Sequence, residues 1–403
     1  MAKKSISIKI AILAIAFVVF GNASISPAMA VIMGAFPDVS MINIQLVMTF
    51  GLFGFFPMSM LTGGLMTRFR AKTLSMIGSA LLVIGCFIPL IVHSSIWHLY
   101  ISSLVMGAGG GMMITLSGAL VPRYFPDDAV ASRLFGLVGA FQNAGSMIMM
   151  FAVGFFAATQ WYNAYWFGVF MIPTFFLILF LLPKDDRPDR LAQVVQEQEE
   201  KPKSKGWDPR VLPIAIYMLF FSVVFATPII NSAILMEDQL NQGPAMAGFV
   251  ASVTSIFSIV AGILYKNISD GLKQTMLGFG ALFLTLGVVT MFMATNVPVY
   301  FIGFSVVSIG FTLGFTGGMH AVAKVVSPEK VPVSMGVFMG CQSLGSMFCP
   351  YIVNPIAEAV TGAPSALGNF QVAAVYGVGL VIFAFIWGAR NRKYYQALPN
   401  EAA

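Results

Sequence analysis

Twelve apolar runs, each about as long as a bilayer is thick, alternate with short polar connections along this 403-residue chain. They lie near 8–33, 44–67, 72–92, 96–121, 130–158, 161–183, 210–236, 244–265, 272–294, 297–322, 332–359 and 369–389. Within a run, apolar residues follow one another without the two-residue alternation of a barrel strand, so each run predicts a spanning helix. A helix satisfies its own backbone in lipid, where water is absent. The expected fold is therefore an all-α integral membrane protein with twelve transmembrane helices.

Charge adds orientation to this picture. Only 9% of residues are charged and 58% are hydrophobic, so the solvent for most of the chain is lipid. The 22 lysines and arginines cluster at Lys3 to Lys9, Arg68 to Lys72, Arg123 to Arg133, Lys184 to Arg210, Lys266 to Lys273, Lys324 to Lys330 and Arg390 to Lys393. Two apolar runs separate successive clusters, and the connections between those two carry no Lys or Arg. They hold Asp38, His93, His98, Glu237, Asp238 and Glu358 instead. Basic residues stay on the cytoplasmic side, which places both termini there. The net charge of +6 is thus a topology signal and does not call for nucleic acid. Lys3, Lys4, the apolar stretch from Ile8 and Ala28-Met29-Ala30 also fit a cleavable signal peptide. Continuation of the run to Met33 favours a retained span.

The chain repeats itself. Gln142-Asn143-Ala144-Gly145-Ser146-Met147 returns as Gln342-Ser343-Leu344-Gly345-Ser346-Met347, 200 residues later. Ser26-Pro27 matches Thr227-Pro228 at an offset of 201. Six crossings return the chain to its starting side, so the expected domains are two six-helix bundles in parallel orientation, 1–183 and 211–403. The mixed-charge segment 184–210 is expected to be a solvated cytoplasmic tether.

Polar groups inside spans are costly in lipid and therefore mark the protein interior. Asn22 and Ser26 share a face of the first run, Thr227 and Asn231 a face of the seventh. With Gln142, Asn143, Gln342 and Ser343 they are the candidate substrate-cavity residues. The alternative use of such groups is helix-to-helix hydrogen bonding. Pro27 and Pro228 each free a backbone carbonyl and permit a bend. His320 lies inside the tenth run; it is a candidate cavity residue and proton-coupling group, because imidazole titrates near neutrality. Lys324, one turn later, is expected to snorkel towards headgroups. No Asp or Glu stands near the middle of any run, which argues against a multivalent cation as solute. Cys86, Cys341 and Cys349 lie in apolar runs without metal-ligand spacing and read as buried thiols. Gly107-x-x-x-Gly111 and Gly310-x-x-x-Gly314 read as helix-packing faces, since no phosphate-loop lysine accompanies them.

Twelve runs, two halves and a charged middle loop resemble the major facilitator superfamily of secondary transporters over essentially the whole length. Gly63-Gly64-Leu65-Met66-Thr67-Arg68-Phe69-Arg70-Ala71-Lys72 resembles that family's loop between the second and third spans, with Thr67 at its acidic position and Arg70 at its second glycine. The resemblance implies a cytoplasmic gate involving Gly63, Arg68 and Lys72, joined by Asp128 and Arg133 in the loop after the fourth span. The family's antiporter signature fails at Ser146, which follows Gly145. What the resemblance implies is a secondary carrier working by alternating access around one cavity between the halves. The leaning is efflux of a neutral or lipophilic compound from a bacterial cytoplasmic membrane. Uptake or exchange of a small organic anion is the alternative, and a transporter-derived sensor the remote one. An enzyme is not expected, for want of a catalytic set. A monomer without cofactor is expected, its partners being lipid, a small-molecule substrate and a coupled proton or counter-solute.

Overall fold

In the computed structural model, residues 2–66, 68–125, 127–183, 208–272, 275–326 and 330–392 are described. The long expected loop therefore lies outside the described residues up to 207. The described chain is helical, with no strand. Its helices are α1 (Ala2–Phe17), α2 (Met29–Ala35), α3 (Met41–Thr49), α4 (Gly51–Leu65), α5 (Ala71–Ile91), α6 (Ile96–Tyr124), α7 (Asp128–Ala157) and α8 (Ile172–Leu181). They continue with α9 (Leu212–Leu240), α10 (Pro244–Leu272), α11 (Met276–Phe292), α12 (Val297–Val325), α13 (Val331–Thr361) and α14 (Ala366–Arg390).

Among the described residues, ten stretches are long and apolar enough to cross a membrane. The pair Ile6–Phe17 and Asn22–Ala35, bent by 46°, makes an eleventh, and the 17-residue α11 coincides with the remaining run. Many apolar side chains point outward because their solvent is lipid: Phe180, Ile263 and Val375 are 76%, 76% and 74% exposed.

The chain divides into two compact units. Unit one is Met1–Lys201 with Gln242–Ser252; unit two is Pro202–Asn241 with Val253–Ala403. The start of α10 thus counts with unit one, where Ser252 Oγ donates to the Met147 carbonyl at 2.9 Å.

The repeated glycine of the two matching motifs has a steric reason in both units. A Cβ on Gly145 would land on the Phe17 carbonyl of α1, and one on Gly345 on the Leu219 carbonyl of α9. Each glycine lets the fifth or eleventh span lie directly on the backbone of the first helix of its own unit.

Candidate functional site

The first and seventh spans carry the same proline yet differ in shape. Before Pro27 stand Gly21, Asn22 and Ser24, all poor helix formers. Here the chain leaves the α-helix, turns at 18–21 and winds as a 3-10 helix over Asn22–Ala28. By contrast α9 runs unbroken through Pro228, preceded by Val223, Val224, Phe225 and Ala226. Side chains knit the backbone there: Thr227 Oγ1 donates to the Val223 carbonyl at 3.0 Å and Asn231 Nδ2 to the Thr227 carbonyl at 3.0 Å. The first span is broken at 18–21, ahead of Pro27, whereas the seventh continues as one helix through Pro228.

Within unit one, Asn22 is half-buried and its Nδ2 donates to the Met48 carbonyl at 3.0 Å, tying the break to the second span. Gly51 makes room for that amide, since a Cβ there would strike it. Ser26 is buried. On α7, Gln142 and Ser146 are half-buried, whereas Asn143 is exposed and bonds its own helix at the Gly139 carbonyl, 2.9 Å away.

Within unit two, Thr227 and Asn231 are buried, not open to a cavity in this conformation. Asn231 belongs to a cluster that sequence reasoning missed. Asn369 Nδ2 donates to Asn231 Oδ1 at 3.1 Å and to Asn354 Oδ1 at 2.9 Å, and Asn354 Nδ2 donates to the Pro350 carbonyl at 2.8 Å. All three amides are at most 2% exposed, and Asn369 Oδ1 has no hydrogen-bond partner among the described residues. Asn354 and Asn369 are amides within apolar runs, which was the available signal. Thr227 Oγ1 also lies 3.5 Å from Cys349 Sγ. On α13, Gln342, Ser343 and Ser346 are half-buried.

His320 is exposed on α12, and the Tyr265 hydroxyl of α10 stands 3.5 Å from its Nδ1. It belongs to a polar ridge, Ser308, Thr312, Thr316, His320 and Lys324, at four-residue steps along α12. Ser258 Oγ donates to the Ser308 carbonyl at 3.2 Å, and Thr312 Oγ1 points at the Ser258 carbonyl from 3.5 Å. The ridge therefore meets a hydroxylated face of α10.

The residues expected at a gate do different things. Gly63 is half-buried in the last turn of α4, and Arg68 and Arg133 are exposed. Asp128 opens α7, but its side chain lies outside the described residues, as does Thr67. Lys72 is buried, 9% exposed, and its Nζ donates to the carbonyls of Leu179 at 2.6 Å and Leu182 at 2.8 Å. Those carbonyls belong to the end of α8, where a helix has no backbone donors left and its dipole is negative. A cavity of about 570 Å³ adjoins, lined by Ser7, Lys72 and residues 179–183.

Two aspartates cap helices near basic loops. Asp127 Oδ1 accepts from the Val130 N–H at 3.1 Å as α7 begins. Asp208 accepts from the Arg210 backbone N–H at 3.0 Å and Nε at 3.1 Å, and its second oxygen meets Arg210 Nη2 at 3.1 Å. The backbone N–H, then the guanidinium, hold the Asp208 carboxyl below the usual carboxylate range. Among the described residues no three His, Cys, Asp or Glu side chains stand together as metal ligands.

Unit two also holds an apolar groove of about 410 Å³ between α9 and α14, with Tyr217, Phe220, Tyr376 and Phe383 among its walls.

The family description of the Major Facilitator Superfamily matches residues 11–234 and 214–402. No curated protein matches the sequence. Among solved structures, a bacterial homologue of the human lysosomal transporter Spinster aligns with a TM-score of 0.75 at 14% identity, covering 98% of this chain and 99% of that one. The nucleoside transporter NupG aligns at 0.74 with 13% identity, over 94% and 99%. The xylose transporter XylE from E. coli aligns at 0.72 with 14% identity, over 94% and 95%. At such identities the likeness is one of fold.

Proposed function

Because the chain belongs to the Major Facilitator Superfamily and is a multi-pass membrane transporter, we propose that it exports a small neutral or lipophilic organic compound by alternating access. The observation that carries this reading is the aromatic-walled groove between α9 and α14, almost wholly apolar in its lining. Such a surface suits a solute that partitions from lipid. Acidic side chains support it by their placement: in the described chain Asp38, Asp127, Asp208, Glu237, Asp238 and Glu358 all lie in connections or within the last turns of helices. A polycation would find no buried counter-charge in the spans. Gln142 and Gln342, half-buried on the two copies of one motif, are assigned as polar contacts to the solute, and His320 as the coupling group. The protein resides as a monomer in a bacterial cytoplasmic membrane, with both termini inside.

Purified protein in liposomes tests this directly. A neutral lipophilic dye should be moved against its gradient when a pH gradient is imposed. A dication should not. Saturable transport of the dication, with the neutral dye untouched, would overturn the reading.

The polar ridge on α12 favours a second reading. Four hydrogen-bonding steps ending at an imidazole and an ammonium suit exchange of a small carboxylate. Counterflow of labelled carboxylates in the same liposomes, abolished by His320→Ala, would favour exchange over export.

A further inference from the structure

Unit one gathers three sulfur atoms from three spans. The Cys86 thiol of α5 lies 3.8 Å from Met106 Sδ of α6 and 3.9 Å from Met171 Sδ. Met171 closes the 3-10 stretch Trp161–Met171 that leads into α8. Cys86 and Met171 are 0% exposed and Met106 is 1% exposed. Each sulfur side chain sits in a notch that a glycine leaves open. A Cβ on Gly168 would strike Cys86 Cβ, one on Gly85 would strike Met106 Cγ, and one on Gly21 would strike Met171 Cε. Ser102 Oγ donates to the Gly85 carbonyl at 2.7 Å and faces Met106 Sδ at 3.7 Å, which orients the thioether. The Tyr165 hydroxyl in the same 3-10 stretch is buried and has no hydrogen-bond partner among the described residues.

We propose that Cys86, Met106 and Met171 form a binding site for one soft monovalent metal ion, of the Cu⁺ or Ag⁺ class. Thiolate and thioether ligands select such ions over Mg²⁺ or Ca²⁺. With metal–sulfur bonds of about 2.3 Å, two ligands at a trigonal angle stand about 4 Å apart. The separations of Cys86 from both methionines, 3.8 and 3.9 Å, are close to that spacing. On binding, the S–H bond breaks, a metal–sulfur bond forms and the proton passes to solvent. The metal keeps its +1 state and no electron moves. Thiolate and ion together are neutral, so a low-dielectric interior tolerates them where a divalent ion would leave net charge. Occupancy would tie α5, α6 and the approach to α8 together, beside the break at Gly21 in the first span.

The test uses the full chain in detergent, loaded anaerobically with Ag⁺ and desalted, with bound silver counted per protein. Wild type and a Cys341→Ser/Cys349→Ser variant should each retain one equivalent and unfold at a higher temperature when loaded. Cys86→Ser should lose both effects. Met106→Leu/Met171→Leu, which keeps core volume, should bind at least about 100-fold more weakly in competition with a chromophoric Cu⁺ chelator, since even outer-shell changes cost 10- to 100-fold. Monodisperse elution of each variant certifies its fold. Equal retention by Cys86→Ser and wild type, loss of silver in the Cys341→Ser/Cys349→Ser variant, or no retention by wild type would overturn the proposal.

Discussion

Lys72 Nζ lies 2.6 Å from the carbonyl oxygen of Leu179, so the lysine that opens the third span closes the end of the sixth. In the family's loop pattern this lysine reads as part of a gate. Its contacts are those of a helix C-cap made by a side chain from elsewhere, with the ammonium placed against unsatisfied carbonyls.

Replacing Lys72 by Met should therefore cost stability before it costs gating. Charged hydrogen bonds contribute about 1.5–3 kcal/mol each, and burial keeps these two from being screened. Thermal unfolding in detergent should fall by several degrees for Lys72→Met and by less for Lys72→Arg. An unchanged melting temperature with altered transport would instead favour the gate assignment.

The asparagine cluster makes an ordering of variants. Asn369 supplies the donor to both Asn231 and Asn354. Asn369→Ala removes two buried hydrogen bonds between helices, at about 0.5–1.5 kcal/mol each, whereas Asn231→Ala removes one of them. Denaturation of the two variants should rank Asn369→Ala as the less stable. The reverse order would mean that the amides pair differently from the arrangement seen.

At the repeated motif, Gly145→Val and Gly345→Val should each abolish folded protein, because even a methyl would overlap backbone. Overpacking costs about 1–3 kcal/mol where neighbours can yield, and more where the obstacle is main chain. Gly139→Ala, with open space around it, should behave as wild type. Size-exclusion yield after detergent extraction separates the cases.

Acid sensitivity should pass through Asp208. Its folded-state pKa is depressed, so its contribution to stability is present above the unfolded value, about 3.9, and is lost as pH falls from there through the lowered folded value. Asp208→Asn should melt below wild type at neutral pH, with a gap that stays constant down to about pH 5 and narrows below pH 4. A gap that widens on acidification would contradict the sign. Melting curves across that range decide it.

Transport itself should respond to the paired glutamines. If Gln142 and Gln342 each give one hydrogen bond to the solute, worth about 0.5–1.5 kcal/mol, each alanine variant should weaken apparent affinity by roughly twofold to tenfold. Liposome uptake at several solute concentrations measures this. No change in either variant would remove both residues from the solute path.

Much of the architecture was legible from local pattern. Apolar continuity is demanded residue by residue in lipid, so the runs coincide with helices to within a few residues. The candidate site was less legible. Asn22, Asn143, Thr227 and Asn231 stand out as polar groups within apolar runs, but polarity does not say what a group touches. Three of them bond backbone carbonyls one turn back in their own helix, and Asn22 reaches a carbonyl of the next span. Ser26-Pro27 and Thr227-Pro228 match in sequence, yet only the first lies in a broken helix, because the residues before Pro27 are weak helix formers and those around Pro228 bond across it.

What the sequence determined alone was the solvent of this protein and the number and class of its elements, since these follow from summed, local transfer energies along each run. What tertiary structure decided was partnership. It placed the end of α8 against Lys72, two distant amides on Asn369, and two methionine sulfurs beside Cys86. Those pairings depend on which helices abut and at what register, and residues 15 to 138 positions apart carry no local trace of it.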